Sequence, residues 1–340
     1  MNRAVLRPLL VIGLFSLILL YAFACLASGS NVGEVGYLHM FAIGDDEKTT
    51  IDAEKFALQL CPIVGGRCNE RATEATPRTR YSSRDRAGYA RWFDFDARLR
   101  NELSVRLAAP PKLKLLFWGD SIFESFRGTS YGRSAARAAA NPAVFNRHFA
   151  AETTAIQAIS GDQTQHTLWR MAQQRRSGTA RLPLAAVGVV LIGTNNLGAG
   201  MSVADAAAGI VAVARAARHF HHAVVLCTLL PRGTTTNGTA AKATFAAKAT
   251  QAKVKATNDV VRAAVRAEER GAARAIILSE CGGLFDDSRG RRAGALANEA
   301  QWTPRATLMP DLLHPNAAGS EAWLACLERD VERVLASVGG

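Results

Sequence analysis

From residue 112 onward, short apolar runs alternate with stretches of helical composition, and this alternation most constrains the fold. The runs have the length and the Val, Leu and Ile content of buried strands. They are residues 113–119, 153–160, 185–193, 223–230 and 273–279. Strands that alternate with helices form parallel sheets with helices on both faces. The sequence therefore predicts an α/β fold with a parallel sheet covered on both sides.

Helical spacing or composition marks the segments between the runs. They are residues 164–176, 202–220 and 240–270, and a last helical stretch covers 317–337. Ser202 and Asp205 form a capping box at the start of the second helix. Segment 240–270 is rich in Lys and Arg, which we interpret as a solvated helix face, with contact to an anionic surface as the alternative.

The first 27 residues have the pattern of a secretory leader. Arg3 and Arg7 precede an uncharged apolar run from Leu9 to Ala27. We expect residues 1–27 to be a cleaved signal peptide, with an uncleaved membrane anchor as the alternative. Both place the rest of the chain in the secretory-pathway lumen or outside the cell.

Residues 28–111 lack a strong period and read as an irregular N-terminal extension that packs near Trp92 and Phe93. Residues 112–340 then form the main domain. Among the cysteines, Cys61 and Cys68 are candidates for a local disulfide, and Cys227 is expected to be a buried reduced thiol. A sequon at Asn237 is compatible with secretion.

The chain carries a formal net charge of +12, which attracts anions but identifies no partner. No nucleic-acid-binding signature accompanies the charge, so no nucleic-acid partner is expected. Phosphate-binding and dinucleotide-binding motifs are absent, as are zinc-protease and Cys-x-x-Cys motifs. The sequence therefore predicts no cofactor and no metal. The cluster His219–His222 is interpreted as a histidine-rich helix end. A homodimer stays open.

Polar and glycine residues follow the apolar runs, where the carboxyl ends of parallel strands form a ligand crevice. They are Gly119–Ser121, Ser160–Asp162, Gly193–Asn196 and Pro231–Gly233. Near the end of the chain, Asp311 and His314 precede the last helix. A serine hydrolase needs these residue types in its active site. Ser121 would be the nucleophile, His314 its base and Asp311 the group that orients the ring.

A tetrahedral intermediate also needs donors for its oxyanion. The backbone N–H groups of Ser121 and Gly161 and the side-chain amide of Asn195 are the candidates. Taken alone, Ser121 reads as a helix N-cap, and for Asp162 we retain a cap of the following helix as the interpretation. The catalytic interpretation of Ser121 is favoured because all the blocks occur together and in order.

These blocks, "GDS", "SGD", "GTNN" and "DLLHP", resemble the GDSL or SGNH hydrolase family. The longer strings "SGDQTQHTLWRM" and "HPNAAG" are similar to its platelet-activating factor acetylhydrolase type IB branch. The resemblance covers about residues 112–335. It implies a flavodoxin-like three-layer α/β/α sandwich with a five-stranded parallel sheet, and metal-free action on esters. Its signature residues fall on Ser121, Gly161, Asn195 and His314.

Two features depart from the family pattern. Asn196 stands where many members have Asp, and the insert 127–145 has no counterpart. The expected activity is a serine esterase that removes short-chain, acetyl-type acyl groups from a glycan or a phospholipid-like ester. The alternatives are an O-acyltransferase that uses the same site, and a non-catalytic glycan- or membrane-binding module.

Overall fold

The computed structural model describes eight segments of the chain, all within a compact unit that spans Cys61–Gly340. They are residues 63–64, 67–68, 70–78, 86–176, 183–233, 240–269, 276–286 and 304–338. The leader, Cys61, the side chain of Cys68 and the Asn237 sequon lie outside the described residues, so the predictions made for them stay predictions.

Five parallel strands form the central sheet. They are β1 (Leu115–Gly119), β2 (Thr154–Ala158), β3 (Ala185–Leu191), β4 (His221–Cys227) and β5 (Ile276–Ser279). Their spatial order is β2-β1-β3-β4-β5. In register, Phe117 of β1 lies between Ile156 of β2 and Val189 of β3. Four strands lie within the predicted apolar runs and β4 begins two residues before its run, which confirms the predicted sheet.

Eight α-helices surround the sheet in the described part of the chain. They are α1 (Arg86–Ala108), α2 (Ser121–Glu124), α3 (Asn141–His148), α4 (Thr164–Arg176), α5 (Thr194–Gly198), α6 (Val203–Arg218), α7 (Ala240–Glu269) and α8 (Ala317–Val338). Helix α6 contacts α4 and α7, whereas α8 contacts α3. All five residues of β1 are buried, and successive strand side chains point to opposite faces, so both faces are covered. The α/β class is confirmed.

Two short antiparallel hairpins complete the described strands. One pairs Ile63–Val64 with Arg67–Cys68, and the other pairs Thr129–Ser130 with Arg133–Ser134. The second hairpin lies in the insert that follows Ser121. At α6, the Ser202 Oγ atom accepts from the Asp205 N–H at 3.0 Å, so the capping box forms as predicted. None of the helices among the described residues has both the length and the apolar character of a bilayer span.

The prediction of an irregular N-terminal extension is wrong for residues 86–108, which form the 23-residue helix α1. Trp92, Phe95 and Leu99 of α1 are buried and cluster with Ile159 and Trp169 of the main domain. The expected packing near Trp92 therefore occurs. The helix is stabilised by burial of this aromatic face.

A disulfide joins Cys281 to Cys326, a pairing that the sequence did not predict. It links the 3₁₀ segment Cys281–Phe285, which follows β5, to helix α8. Cys227 of β4 is a buried free thiol, as predicted. Burial raises the pKa of this thiol, and the nearby charge of Asp330 adds to the shift, so Cys227 stays protonated.

Candidate active site

Ser121 lies directly after β1, at the first position of α2. The N-cap of α2 is Asp120, whose Oδ1 atom accepts from the N–H of Ile122 at 3.0 Å. The cap expected for a lone Gly-Asp-Ser sequence is therefore formed by the aspartate, and the Ser121 hydroxyl is left for another role. At the strand end, a side chain on Gly119 would come within 2.5 Å of the Leu191 carbonyl oxygen, so only glycine fits there.

The Ser121 hydroxyl contacts a histidine and, through it, an aspartate. Ser121 Oγ lies 2.8 Å from His314 Nε2, and His314 Nδ1 lies 2.6 Å from Asp311 Oδ2. Partial burial raises the pKa of Asp311, but hydrogen bonds from the ring and backbone of His314 outweigh it and hold the pKa well below its usual range. Because the carboxylate can only accept, Nδ1 donates, and the neutral ring then offers Nε2 as an acceptor to Ser121.

The loop that carries Asp311 and His314 is held from two sides. The Gly233 N–H, after β4, donates to the Leu312 carbonyl at 2.8 Å. Leu312 has a φ of +58°, a conformation that costs a non-glycine residue free energy. The carboxylate of Asp311 also accepts from the His314 N–H at 2.7 Å, which closes the turn around the ring.

Gly161 follows β2 with a φ of +79°, so the left-handed conformation favours glycine at this position. A side chain there would come within 2.9 Å of the Arg78 guanidinium and of the Tyr131 hydroxyl. Arg78 in turn donates to the Ser160 carbonyl at 3.1 Å and packs over the Tyr131 ring. Among the hydrogen bonds of the described residues, none uses the N–H of Gly161 or of Ser121.

Asn195, in α5 after β3, turns its side-chain amide toward the two neighbouring loops. Its Nδ2 donates to the Asp162 carbonyl at 2.9 Å and lies 3.4 Å from Asp120 Oδ2. The second distance is long for a hydrogen bond, so one amide hydrogen is held firmly and the other only weakly. The structure thus brings Asn195, Asp120 and Asp162 together.

Asp120 is a fully buried carboxyl group next to Ser121. Burial raises its pKa to about 7, with the N–H of Ile122 opposing the shift and the charge of Asp162 adding to it. The charges of Arg232 and Arg137 lower the pKa. Arg232 is itself fixed by a hydrogen bond of 2.8 Å to the Thr194 carbonyl. Positive charge from two loops therefore surrounds this end of the sheet.

The prediction that Asp162 caps the helix after it is wrong. Its carboxylate accepts from Trp92 Nε1 at 2.6 Å and from Arg170 Nη1 at 3.0 Å. The N–H of Thr164, at the start of α4, is bound instead by Asn196 Oδ1 at 3.0 Å. Asn196, which departs from the common family pattern, therefore has a defined structural role here.

One buried acid near the site was missed by sequence reasoning. Glu124 Oε2 accepts from both the N–H and the hydroxyl of Ser160 at 2.6 Å, and Oε1 accepts from Thr129 Oγ1 and the Gly132 N–H at 2.8 Å. Glu124 so ties the insert after Ser121 to the loop that carries Gly161. Its position three residues after Ser121 is the sequence feature that could have suggested this role.

The five-stranded parallel sheet defines a flavodoxin-like α/β fold, and a hydrogen-bonded serine, histidine and aspartate lie at the carboxyl edge of that sheet. The model of the GDSL-like Lipase/Acylhydrolase family matches residues 117–322, more than half of the chain, and the chain belongs to this family. It is accordingly a carboxylic ester hydrolase.

Several solved structures resemble this chain. A GDSL-like lipase from Bacteroides thetaiotaomicron VPI-5482 shares 16% identity over 70% of this chain and 98% of its own, with a TM-score of 0.49. A protein provisionally described as a platelet activating factor from Streptococcus pneumonia shares 16% identity over 71% and 94%, with a TM-score of 0.46. The acetylxylan esterase Axe2 from Geobacillus stearothermophilus shares 14% identity over 64% and 94%, with a TM-score of 0.43. Among curated proteins, none matches the chain in sequence.

Proposed function

We propose that the protein is a serine esterase whose nucleophile is Ser121, and the observation that carries this proposal is the hydrogen-bonded chain from Ser121 through His314 to Asp311. His314 takes the hydroxyl proton as Ser121 Oγ attacks the ester carbonyl. The proton then passes from the imidazolium to the leaving alcohol, and an acyl-serine forms. Water, activated by the same ring, releases the acid and restores Ser121.

Asp311 supports this cycle because its carboxylate stays ionised. The ion pair that forms when His314 is protonated is stabilised by the short contact between Asp311 Oδ2 and Nδ1. The oxyanion is bound by the N–H groups of Ser121 and Gly161 and by the weakly engaged hydrogen of Asn195. These donors stand on three different strand ends, so they are fixed before the substrate arrives.

The proposed substrates are short-chain, acetyl-type esters of a glycan or a phospholipid-like molecule. Arg78 and Tyr131 crowd the space beside Gly161, which supports a small acyl group over a long one. Their polar atoms, and the charges of Arg137 and Arg232 near Asp120, support a polar or anionic alcohol portion.

We further propose that the protein acts in the secretory pathway or outside the cell. The apolar run from Leu9 to Ala27, preceded by Arg3 and Arg7, supports export. The Cys281–Cys326 disulfide supports an oxidising compartment.

A panel of p-nitrophenyl esters from acetate to laurate tests the proposal. We expect the highest kcat/KM with acetate or butyrate, and Ser121→Ala should lower the acetate rate at least about 10³-fold. Ser104→Ala, which removes a hydroxyl bonded to the Arg100 carbonyl in α1, is the matched control and should keep wild-type activity. Wild-type rates in Ser121→Ala would remove Ser121 from the mechanism. A preference for laurate would contradict the short-chain substrate.

A further inference from the structure

We infer that Asp162 is a positioning residue for the oxyanion hole, and that helix α1 anchors it through Trp92. The inference rests on the proposed function, because it concerns the donors that would bind the oxyanion. It goes beyond that function by assigning part of the site to a helix that lies before residues 117–322, the stretch that the family model matches.

The backbone of Asp162 connects two of the three proposed donors. On one side it follows Gly161, whose N–H is one donor. On the other side its carbonyl accepts from Asn195 Nδ2 at 2.9 Å, which aims the amide that is the second donor. Oxyanion donors act over a narrow range of about 2.7–3.1 Å, so a small displacement of Asp162 would misplace both.

The side chain of Asp162 is what holds this backbone. Trp92 Nε1 donates to Oδ1 at 2.6 Å and Arg170 Nη1 donates to Oδ2 at 3.0 Å. Arg170 is fixed in turn by Asp96 of α1, through a contact of 2.9 Å, and by the Gln157 carbonyl at 3.1 Å. Helix α1 therefore grips Asp162 directly through Trp92 and indirectly through Asp96.

Burial distinguishes this network from a surface ion pair. Trp92, Asp96, Asp162 and Arg170 are each at most 1% exposed, so the contacts are not exchanged with water. Burial raises the pKa of Asp162, and the charge of Arg170 and the N–H of Trp92 oppose that shift. Buried ion pairs add little stability compared with apolar packing, but they hold the paired side chains in one orientation. A fixed direction is what an oxyanion hole requires.

Trp92→Phe removes the N–H while keeping an aromatic ring in the buried cluster. We expect kcat per active site to fall about tenfold with KM unchanged, because the lost contact matters only when the oxyanion forms. Active sites are counted by the stoichiometry of fluorophosphonate labelling, so misfolded protein does not enter the rate. Trp118→Phe is the matched control. It also removes a buried indole hydrogen bond, to His221 Nε2 at 3.1 Å, and should stay within about twofold of the wild type.

A double-mutant cycle separates positioning from general weakening. In an Asn195→Ala background only the Gly161 N–H is left for Asp162 to position, so Trp92→Phe should then lower kcat by a smaller factor of about threefold. An equal tenfold loss in both backgrounds, or an unchanged kcat per active site in Trp92→Phe, would overturn the inference. If Trp92→Phe does not fold, Asp162→Asn carries the same cycle by the same criteria. Ser121→Ala distinguishes the two failures, since it tests the proposed function without touching this network.

Discussion

Asp311 binds His314 twice, through the ring and through the backbone N–H. Replacing it with alanine removes the partner of the imidazolium but leaves the base in place. We expect Asp311→Ala to retain about 10 to 100 times more activity than His314→Ala, measured as kcat/KM for p-nitrophenyl acetate. An equal or larger loss in Asp311→Ala would show that the carboxylate does more than orient and stabilise the ring.

Burial determines the protonation state of His221. Its Nδ1 donates to the Ala185 carbonyl and its Nε2 accepts from Trp118, so the neutral ring uses both nitrogens. Burial lowers the pKa of His221 from 6.5 to about 4, opposed by the bond to Ala185 and assisted by His222. The unfolded chain therefore takes up this proton before the folded chain does as the pH falls from 6.5 to 4, and stability is lost over that window.

At pH 4, the lowered pKa of His221 reduces the free energy of unfolding by about 3 kcal/mol relative to pH 7. We expect His221→Gln, which does not titrate, to be destabilised at pH 7 but to lose less stability than the wild type on acidification. Urea unfolding at pH 7, 6, 5 and 4 measures the two curves. Parallel curves would show that folding does not lower the pKa of His221.

Some residues of the site could be identified from the sequence, whereas the partners of others could not. Ser121, Gly161 and Asn195 were selected because strand ends in a parallel sheet converge. His314 was selected because a nucleophilic serine needs a base, and the structure does bring Ser121 and His314 into contact. Asp162 was misread because an acid before a helix looks like a cap, and nothing local shows that Trp92, 70 residues away, takes its carboxylate. Partners that are far apart in the chain are decided by tertiary packing.

The elements of the sheet were predictable and the helix before it was missed. Each strand is a short and mainly apolar run, because burial on both faces leaves few polar positions. Helix α1 instead buries only one stripe among many charged residues. Trp92, Phe95, Leu99 and Leu103 follow one another at helical spacings of three and four and are all buried. That spacing was present in the sequence, so the helix could have been found.

The Cys281–Cys326 disulfide acts at the scale of elements, because it joins the segment after β5 to α8 across 45 residues. The closed loop includes Asp311 and His314. Replacing both cysteines with serine should lower the free energy of unfolding by about 2–4 kcal/mol, because the unfolded chain regains the entropy of that loop. Thermal unfolding with and without reductant measures it.

Activity per folded molecule should change little in that double variant at a temperature well below its midpoint. The loop is also held by the Gly233 N–H on the Leu312 carbonyl, a contact that the disulfide does not supply. A large loss of kcat in a folded variant would show that the disulfide positions the base. An unchanged unfolding midpoint would contradict the stabilising role.

At the scale of the molecule, the proposed catalytic residues come from segments spread along the whole hydrolase region, and only the fold assembles them. Ser121 and His314 are 193 residues apart in the chain and 2.8 Å apart in space. Two further contacts that no family motif marks hold the loop after β2: Trp92 of α1 bonds Asp162, and Glu124 of α2 bonds the Ser160 N–H. The proposed activity therefore depends on the Ser121 Oγ atom being the nucleophile of this site.

Labelling with a fluorophosphonate, followed by peptide mapping, tests this claim most directly. We expect one adduct per protein molecule, located on Ser121, and no adduct in Ser121→Ala or after unfolding of the wild type. The result depends on the folded contact with His314, which alone makes the hydroxyl nucleophilic. An adduct on another serine, or no labelling of active wild-type protein, would contradict the account.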